Sequence, residues 1–220
     1  MQDALTALRG GPGAVAGYKL AFNGQGSRNY YGLAEGCIAP LFRHDIRPDD
    51  AVLRLADFHS LVIEPEICLE LGRDLPHPAG LTPAEALATL SAIRPAVDVM
   101  DPRGAFALDP SAAQAVAQGI YTAGAVLGAP IPAARLADRH GVTTRLVIGG
   151  ACVGERLDGT PQDPLEGLIW AVGALAARGQ SLTAGMILLC GTHLPGHPIT
   201  APAAVRVAMG DFGTVGFSVV

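Results

Sequence analysis

Between Leu61 and Leu71 the chain carries a two-residue period. Leu61, Ile63, Ile67, Leu69 and Leu71 are apolar, and Glu64, Glu66, Cys68 and Glu70 fall between them. That period puts the two sets on opposite faces of a β-strand. One face is suited to a core and the other bears a row of carboxylates. Pro65 has no N–H to give a ladder, so it predicts an edge position or a bulge. Glu64 and Glu66 leave the same face about 6.6 Å apart along the strand. Adjacent carboxylates repel, so if that face is covered, one stays protonated or a cation sits between them. A hard divalent cation with oxygen ligands is the natural partner. Taken alone, the pair is better explained by a solvated face with Glu70 as a third exposed acid.

Two further residues shift that balance. Asp98 is an isolated acid in the apolar run Pro95-Ala96-Val97-Asp98-Val99-Met100. Three acids from two strands could supply half of an octahedral shell and leave positions for water and a chelating substrate. Lys19 is the sole lysine among 15 cationic residues, the other 14 being arginine. It lies in Val15-Ala16-Gly17-Tyr18-Lys19-Leu20-Ala21-Phe22, an apolar stretch that reads as a strand. A buried ammonium is costly unless paired, which points to a site role.

Composition narrows the classes. The 220 residues, half of them hydrophobic, suffice for one large domain with a sizeable core. The net charge of −5 without a cationic cluster argues against nucleic acid and anionic membrane as partners. No apolar run approaches the roughly 18 residues of a membrane helix, and the N-terminus lacks a signal-peptide pattern. Cys37, Cys68, Cys152 and Cys190 show no metal-binding or disulfide spacing, so four reduced, mostly buried thiols in a cytoplasmic protein are expected.

The local pattern gives many strands and two good helices. Residues 1–13 read as a short lead-in and 14–220 as one domain. Strands are expected at 14–22, 61–71, 94–101, 121–127, 186–190, 203–209 and 214–220. A hairpin is expected over 142–157 around Gly149-Gly150, and a loop from Asn23 to Tyr31. Thr82-Pro83-Ala84-Glu85 has a capping-box pattern and opens a helix to about Ile93. Asp163-Pro164 opens a second helix ending near Gly179, with Trp170 in its core. Residues 111–119 suggest a short helix. The fold class is α+β, a mixed β-roll or barrel-like sheet with flanking helices.

The order of motifs resembles a known family. Gly17-Tyr18-Lys19-Leu20, Glu64-Pro65-Glu66-Ile67-Cys68-Leu69-Glu70-Leu71, Arg73-Asp74-Leu75 and Pro95-Ala96-Val97-Asp98 are followed by Ala123–Gly128, Ala184–Thr192 and Phe212–Gly216. From about Gly17 onward the set is similar to the 2-keto-4-pentenoate hydratase / 4-oxalocrotonate decarboxylase group of the fumarylacetoacetase superfamily. The resemblance implies Mg²⁺ or Mn²⁺ held by Glu64, Glu66 and Asp98, chelating the 1-carboxylate and 2-oxo groups of a 2-oxoacid. It places Lys19 near the substrate oxygens, with catalysis through a stabilised enolate. It suggests backbone or hydroxyl donors from Gly191 and Thr192, and a homo-oligomer.

The chain also departs from that pattern. Asp98 stands where the family usually has Glu, and Gln118-Gly119 where it has Asp-Asn. Gly36 and Ala39 fall near the family's proline and glycine after Lys19. The metal end of the site keeps the pattern, and the part that handles the substrate tail does not. His193 and His197 lie in a loop beside the expected site, and His193 is the candidate acid or base. Tyr31, with Tyr30, is a candidate to close over substrate, and His59 for a lid or a surface role. Ser27 has no evident base partner. The expected function is hydration or decarboxylation of a 2-oxo-4-enoic acid or its dienol. The alternatives are an acylpyruvate-type C–C hydrolase and an inactive 2-oxoacid-binding relative.

Overall fold

The computed structural model describes residues 1–75 and 80–220. Its strands, in chain order, begin with β1 (Val15–Ala21), β2 (Cys37–Phe42), β3 (Ile46–Pro48), β4 (Ala51–Leu53) and β5 (Val62–Leu71). There follow β6 (Leu90–Met100), β7 (Thr122–Leu127), β8 (Ile131–Pro132), β9 (Thr143–Ile148) and β10 (Ala151–Leu157). The last are β11 (Ile187–Thr192), β12 (His197–Pro198), β13 (Ala203–Met209) and β14 (Thr214–Val219). Among the described residues five α-helices accompany them: α1 (Gln2–Leu8), α2 (Gln25–Tyr31), α3 (Pro83–Leu87), α4 (Ala112–Ala117) and α5 (Pro164–Ala176).

A mixed nine-stranded sheet runs β2-β1-β11-β5-β6-β7-β3, with β12 and β8 added at the ends of β5 and β6. It curls into a half-barrel, the expected roll. A second sheet, β10-β9-β13-β14-β4, packs against it across β6 and β7. The odd face of β5, with Ile63, Ile67, Leu69 and Leu71, joins α5 residues Leu165, Leu168, Val172 and Leu175 in the main core. The lead-in is docked, because Gln2 Nε2 donates to the Ile38 carbonyl at 3.0 Å and Arg178 meets Asp3 at 2.7 Å. Among the described residues no helix is long and apolar enough to cross a membrane.

Several local expectations are corrected. The loop from Asn23 to Tyr31 contains helix α2, which ends on Gly32 in the left-handed region at φ 65°. The helix at Thr82 has its capping box but stops at Leu87. From Leu90 the chain is strand, because Ile93 and its neighbours find partners on both β5 and β8. Ladder pairing on two sides outweighs a weak local helix preference. Pro65 is not at an edge, since β5 lies between β11 and β6. Its missing N–H is tolerated beside a register shift of β11 between Leu189 and Thr192, and its carbonyl accepts from His193 N at 2.8 Å. All four cysteines are free, but only Cys68 and Cys190 are buried, with Cys37 intermediate and Cys152 exposed.

Gly17 shows how closely β1 and β11 approach. They run parallel with Gly17 opposite Ile187, and a Cβ there would lie 2.0 Å from the Ile187 carbonyl oxygen. Backbone cannot yield as a flexible side chain can. Gly17→Ala is expected to destabilise the protein by about 2–3 kcal/mol, read as a lower urea midpoint; an unchanged midpoint would contradict this packing.

Candidate metal centre

β5 and β6 pair antiparallel with Glu64 directly opposite Asp98. Glu64, Glu66 and Asp98 therefore leave one face of two neighbouring strands. One carboxylate oxygen from each lies within 4.8 Å of the other two. Lys19 comes from β1, three strands away from β6 in the sheet order. Across a flat sheet that separation is about 14 Å, too far for a lysine to span. The curl of the sheet closes the gap, and Lys19 Nζ meets Asp98 Oδ2 at 2.5 Å. Both side chains are almost fully buried, at 2% and 1% exposed.

The β11 irregularity supplies the next contact. Gly191 sits there with φ 99°, a conformation that favours glycine. Its N–H donates to Glu66 Oε2 at 2.6 Å. A β-carbon at Gly191 would press within 2.6 Å of Asn23 Oδ1. Asn23 is itself buried and donates to the Cys190 carbonyl at 3.0 Å, tying the end of β1 to β11.

The electrostatics favour a cation. Burial and the nearby Asp98 carboxylate push Glu64 up to about 7, with Lys19 opposing. Glu66 is raised well above the carboxylate range by burial, Asp98 and Glu64, although Lys19 and the Gly191 N–H pull it down. Burial also raises Asp98 against the pull of Lys19. Asp98 Oδ1 is buried without a hydrogen-bond partner. One lysine thus faces two buried acids and a half-buried one, and one acid oxygen is unpartnered. An all-oxygen donor set in this state fits a hard divalent ion.

A cavity of about 210 Å³ opens onto this cluster. Lys19, Glu64, Asp98, Gly191 and Thr192 line its inner end. Phe22, Tyr31, Met100, Phe106, Ile120 and Tyr121 form the main apolar part of its wall, which Asn23 and Ser27 also line. Tyr31 is thus at the site, packed against Phe22 with centroids 4.6 Å apart. The donors expected from Gly191 and Thr192 are already engaged, because the Gly191 N–H serves Glu66 and the Thr192 hydroxyl donates to the Leu194 carbonyl.

His193 is corrected as an acid–base candidate. It is 1% exposed, does not line the cavity, and its Nδ1 lies 2.7 Å from Thr144 Oγ1 on the second sheet. Burial lowers its pKa to about 4, so it is neutral and structural at ordinary pH. His197 is in β12 beside Ile63, and His59 is exposed near the turn at Gly104. Trp170 is only partly buried and donates to Glu35 at 2.8 Å.

Sequence reasoning passed over Ile120 and Tyr121. They directly follow Gln118-Gly119, which stays outside the cavity lining, and they reach the wall through left-handed backbone at φ 51° and 58°. That conformation is uncommon for a β-branched residue and marks a segment held by its surroundings. The signal available in the sequence was only the departure at Gln118-Gly119 itself. The Tyr121 hydroxyl is buried without a partner, and its ring stands edge-on to Phe106 at 5.3 Å.

Residues 43–220 match the fumarylacetoacetate (FAA) hydrolase C-terminal family. The chain belongs to that family. A 4-oxalocrotonate decarboxylase of a Pseudomonas species is 28% identical over 174 residues, covering 74% of this chain. The match spans 62% of that relative's length. Among solved structures, 4-oxalocrotonate decarboxylase from Pseudomonas putida G7, complexed with magnesium and adipate, superposes with TM-score 0.87. That likeness covers 99% of this chain and 81% of the other at 19% identity. Fumarylpyruvate hydrolase from Pseudomonas aeruginosa, in complex with Mn²⁺ and pyruvate, gives TM-score 0.68 at 15% identity, over 92% of this chain and 88% of the other. At such identities the two likenesses establish the shared fold.

The raised Glu64 makes the metal-free protein sensitive to pH. A carboxyl shifted from 4.5 to about 7 binds more protons in the folded state, so its contribution is full below 4.5 and lost as pH rises through 7. Relative to Glu64→Gln, the metal-free protein should therefore lose up to about 3 kcal/mol between those limits. Added Mg²⁺ should reverse the loss. Thermal denaturation of both proteins across that range checks the sign, and parallel curves would contradict it.

Proposed function

We propose that this protein is a divalent-metal-dependent lyase, a hydratase or decarboxylase of a 2-oxo-4-enoic acid or its dienol. The observation that carries this reading is a cluster of three carboxylates, two of which, Glu64 and Asp98, line one cavity together with the chain's single lysine. Family membership and the decarboxylase likeness support it, as do the Mg²⁺ and Mn²⁺ complexes of the structural neighbours.

Glu64, Glu66 and Asp98 would hold Mg²⁺ or Mn²⁺. Such an ion supplies Lewis acidity, stabilising negative charge on a 2-oxo oxygen as an enolate develops. Lys19 presents its ammonium at the same end of the cavity, where it binds a substrate oxygen gaining negative charge. Asp98 orients that ammonium. Phe22, Tyr31, Phe106 and Tyr121 shield the reacting carbons from water, which strengthens each charge interaction inside. Burial raises the Tyr121 phenol, so it keeps its proton at neutral pH and serves as a neutral hydrogen-bond donor.

An acylpyruvate-type C–C hydrolase is the second reading, favoured by the likeness to fumarylpyruvate hydrolase. It needs a group to take a proton from water. Among the described residues lining the cavity none is a histidine, which weighs against it.

Titration calorimetry with Mg²⁺ and assays of dienol loss and acylpyruvate cleavage test the proposal. Glu66→Gln should weaken Mg²⁺ binding at least about tenfold. Lys19→Met should retain Mg²⁺ and lower turnover by about 100–1000-fold. Turnover unaffected by Lys19→Met would remove its assigned role. Mg²⁺ binding without turnover on any dienol or acylpyruvate would leave an inert 2-oxoacid-binding relative.

A further inference from the structure

The outer wall of the cavity differs in kind from its inner end. Lys19 is the one cationic side chain among the described residues lining the cavity, and Asp98 already engages it. Apart from the inner-end residues, the lining is mostly aromatic or aliphatic, with Phe22, Tyr31, Met100, Phe106, Ile120 and Tyr121 among it; its polar side chains, Asn23 and Ser27, are uncharged and donate to the Cys190 and Gly24 carbonyls. Beside this wall, Tyr30 packs against Tyr31 and donates to Asp109 at 2.9 Å, and Arg28 lies outside the lining, donating to the Asn23 carbonyl at 3.0 Å. The unpartnered polar atom on this wall is the Tyr121 hydroxyl. A phenol can donate to a neutral oxygen, but it cannot neutralise a carboxylate.

The formal charges set a limit on the ligand. Three acids and one lysine leave two negative charges in excess, and a divalent cation cancels them. A substrate 1-carboxylate adds one charge beside that cation. A second carboxylate, carried outward on the tail, would be removed from water against rings and methyl groups with no counter-charge. Burying an unpaired carboxylate is among the most expensive things a binding site can do.

Resting on the reading of the inner end as a 2-oxoacid site, we propose that the cavity selects 2-oxo monocarboxylates with a short uncharged tail and excludes dicarboxylates, which leaves hydration and removes decarboxylation from the two reactions proposed above. Phe106, Ile120 and Tyr121 are the residues that set this selection. Ile120 and Tyr121 follow Gln118-Gly119 directly and reach the wall as two consecutive left-handed residues, and Phe106 meets Tyr121 edge-on at 5.3 Å. The selection is therefore a property of backbone placement as well as of side-chain type.

Calorimetric binding to the full chain at saturating Mg²⁺ tests this without need of turnover. Pyruvate probes the inner end, and 2-oxopentanoate and 2-oxoglutarate compare neutral and charged tails on five carbons. Pyruvate and 2-oxopentanoate should bind, with 2-oxoglutarate at least tenfold weaker than 2-oxopentanoate. Binding of 2-oxoglutarate as tight as 2-oxopentanoate would overturn the proposal while leaving the 2-oxoacid site intact. Failure of pyruvate and of both longer acids to bind would overturn the site reading and this selection together. Phe106 is 54% exposed, so Phe106→Arg is tolerable to the fold and should narrow the ratio between the two tails by tenfold or more. An unchanged ratio in a folded Phe106→Arg protein would overturn the assignment of the tail to this wall.

Discussion

The ion pair between Lys19 and Asp98 ties the site to the fold. Its partners sit on strands separated by two others, and they meet because the sheet curls. Neither group has appreciable contact with water, so each depends on the other for its charge to be tolerable. Removing one member of such a pair typically costs about 3–5 kcal/mol. The curl, the Gly17 contact that brings β1 against β11, and the burial of the pair are thus one constraint seen at three scales. The same curl leaves Glu64 and Glu66 facing inward beside Asp98 rather than outward into solvent.

An arrangement with three acids and one base is unbalanced by design of the sequence, and the imbalance is what makes it a site. A structural network would satisfy its lone pairs internally. Here the Gly191 N–H takes one Glu66 oxygen and Lys19 one Asp98 oxygen, while the second Asp98 oxygen has no partner. The aromatic wall then gives the cavity polarity along its length, charged at the inner end and apolar toward the rim. Fumarylacetoacetate hydrolase family membership accounts for the shared sheet.

The inner end was legible because each signal was local. Period two in Leu61–Leu71, an acid inside an apolar strand at Asp98, and a lone lysine in a strand at Lys19 each state a cost that only a partner removes. The outer end was not legible, since it depends on distant segments converging. Ile120 and Tyr121 enter through left-handed backbone that propensity does not foresee. His193 looked available because it lies in a polar, Gly- and Pro-rich loop, yet tertiary packing buries it against Thr144. Pro65 suggested an edge or a bulge because ladder logic counts one missing N–H; the edge is not found, and the irregularity is, in the register shift of the neighbouring strand beside it. The helix at Thr82 began where its cap predicted and ended early where β6 found partners on both sides.

The central claim is that one hard cation and the Lys19 ammonium share the inner end of a single cavity. Anomalous diffraction from crystals soaked with Mn²⁺ and oxalate tests it most directly. The account predicts one anomalous peak per chain, bounded by oxygens of Glu64, Glu66 and Asp98, with oxalate on the ion and Lys19 Nζ within hydrogen-bonding distance of an oxalate oxygen. A peak elsewhere on the chain, or an oxalate bound without contact to Lys19, would contradict it.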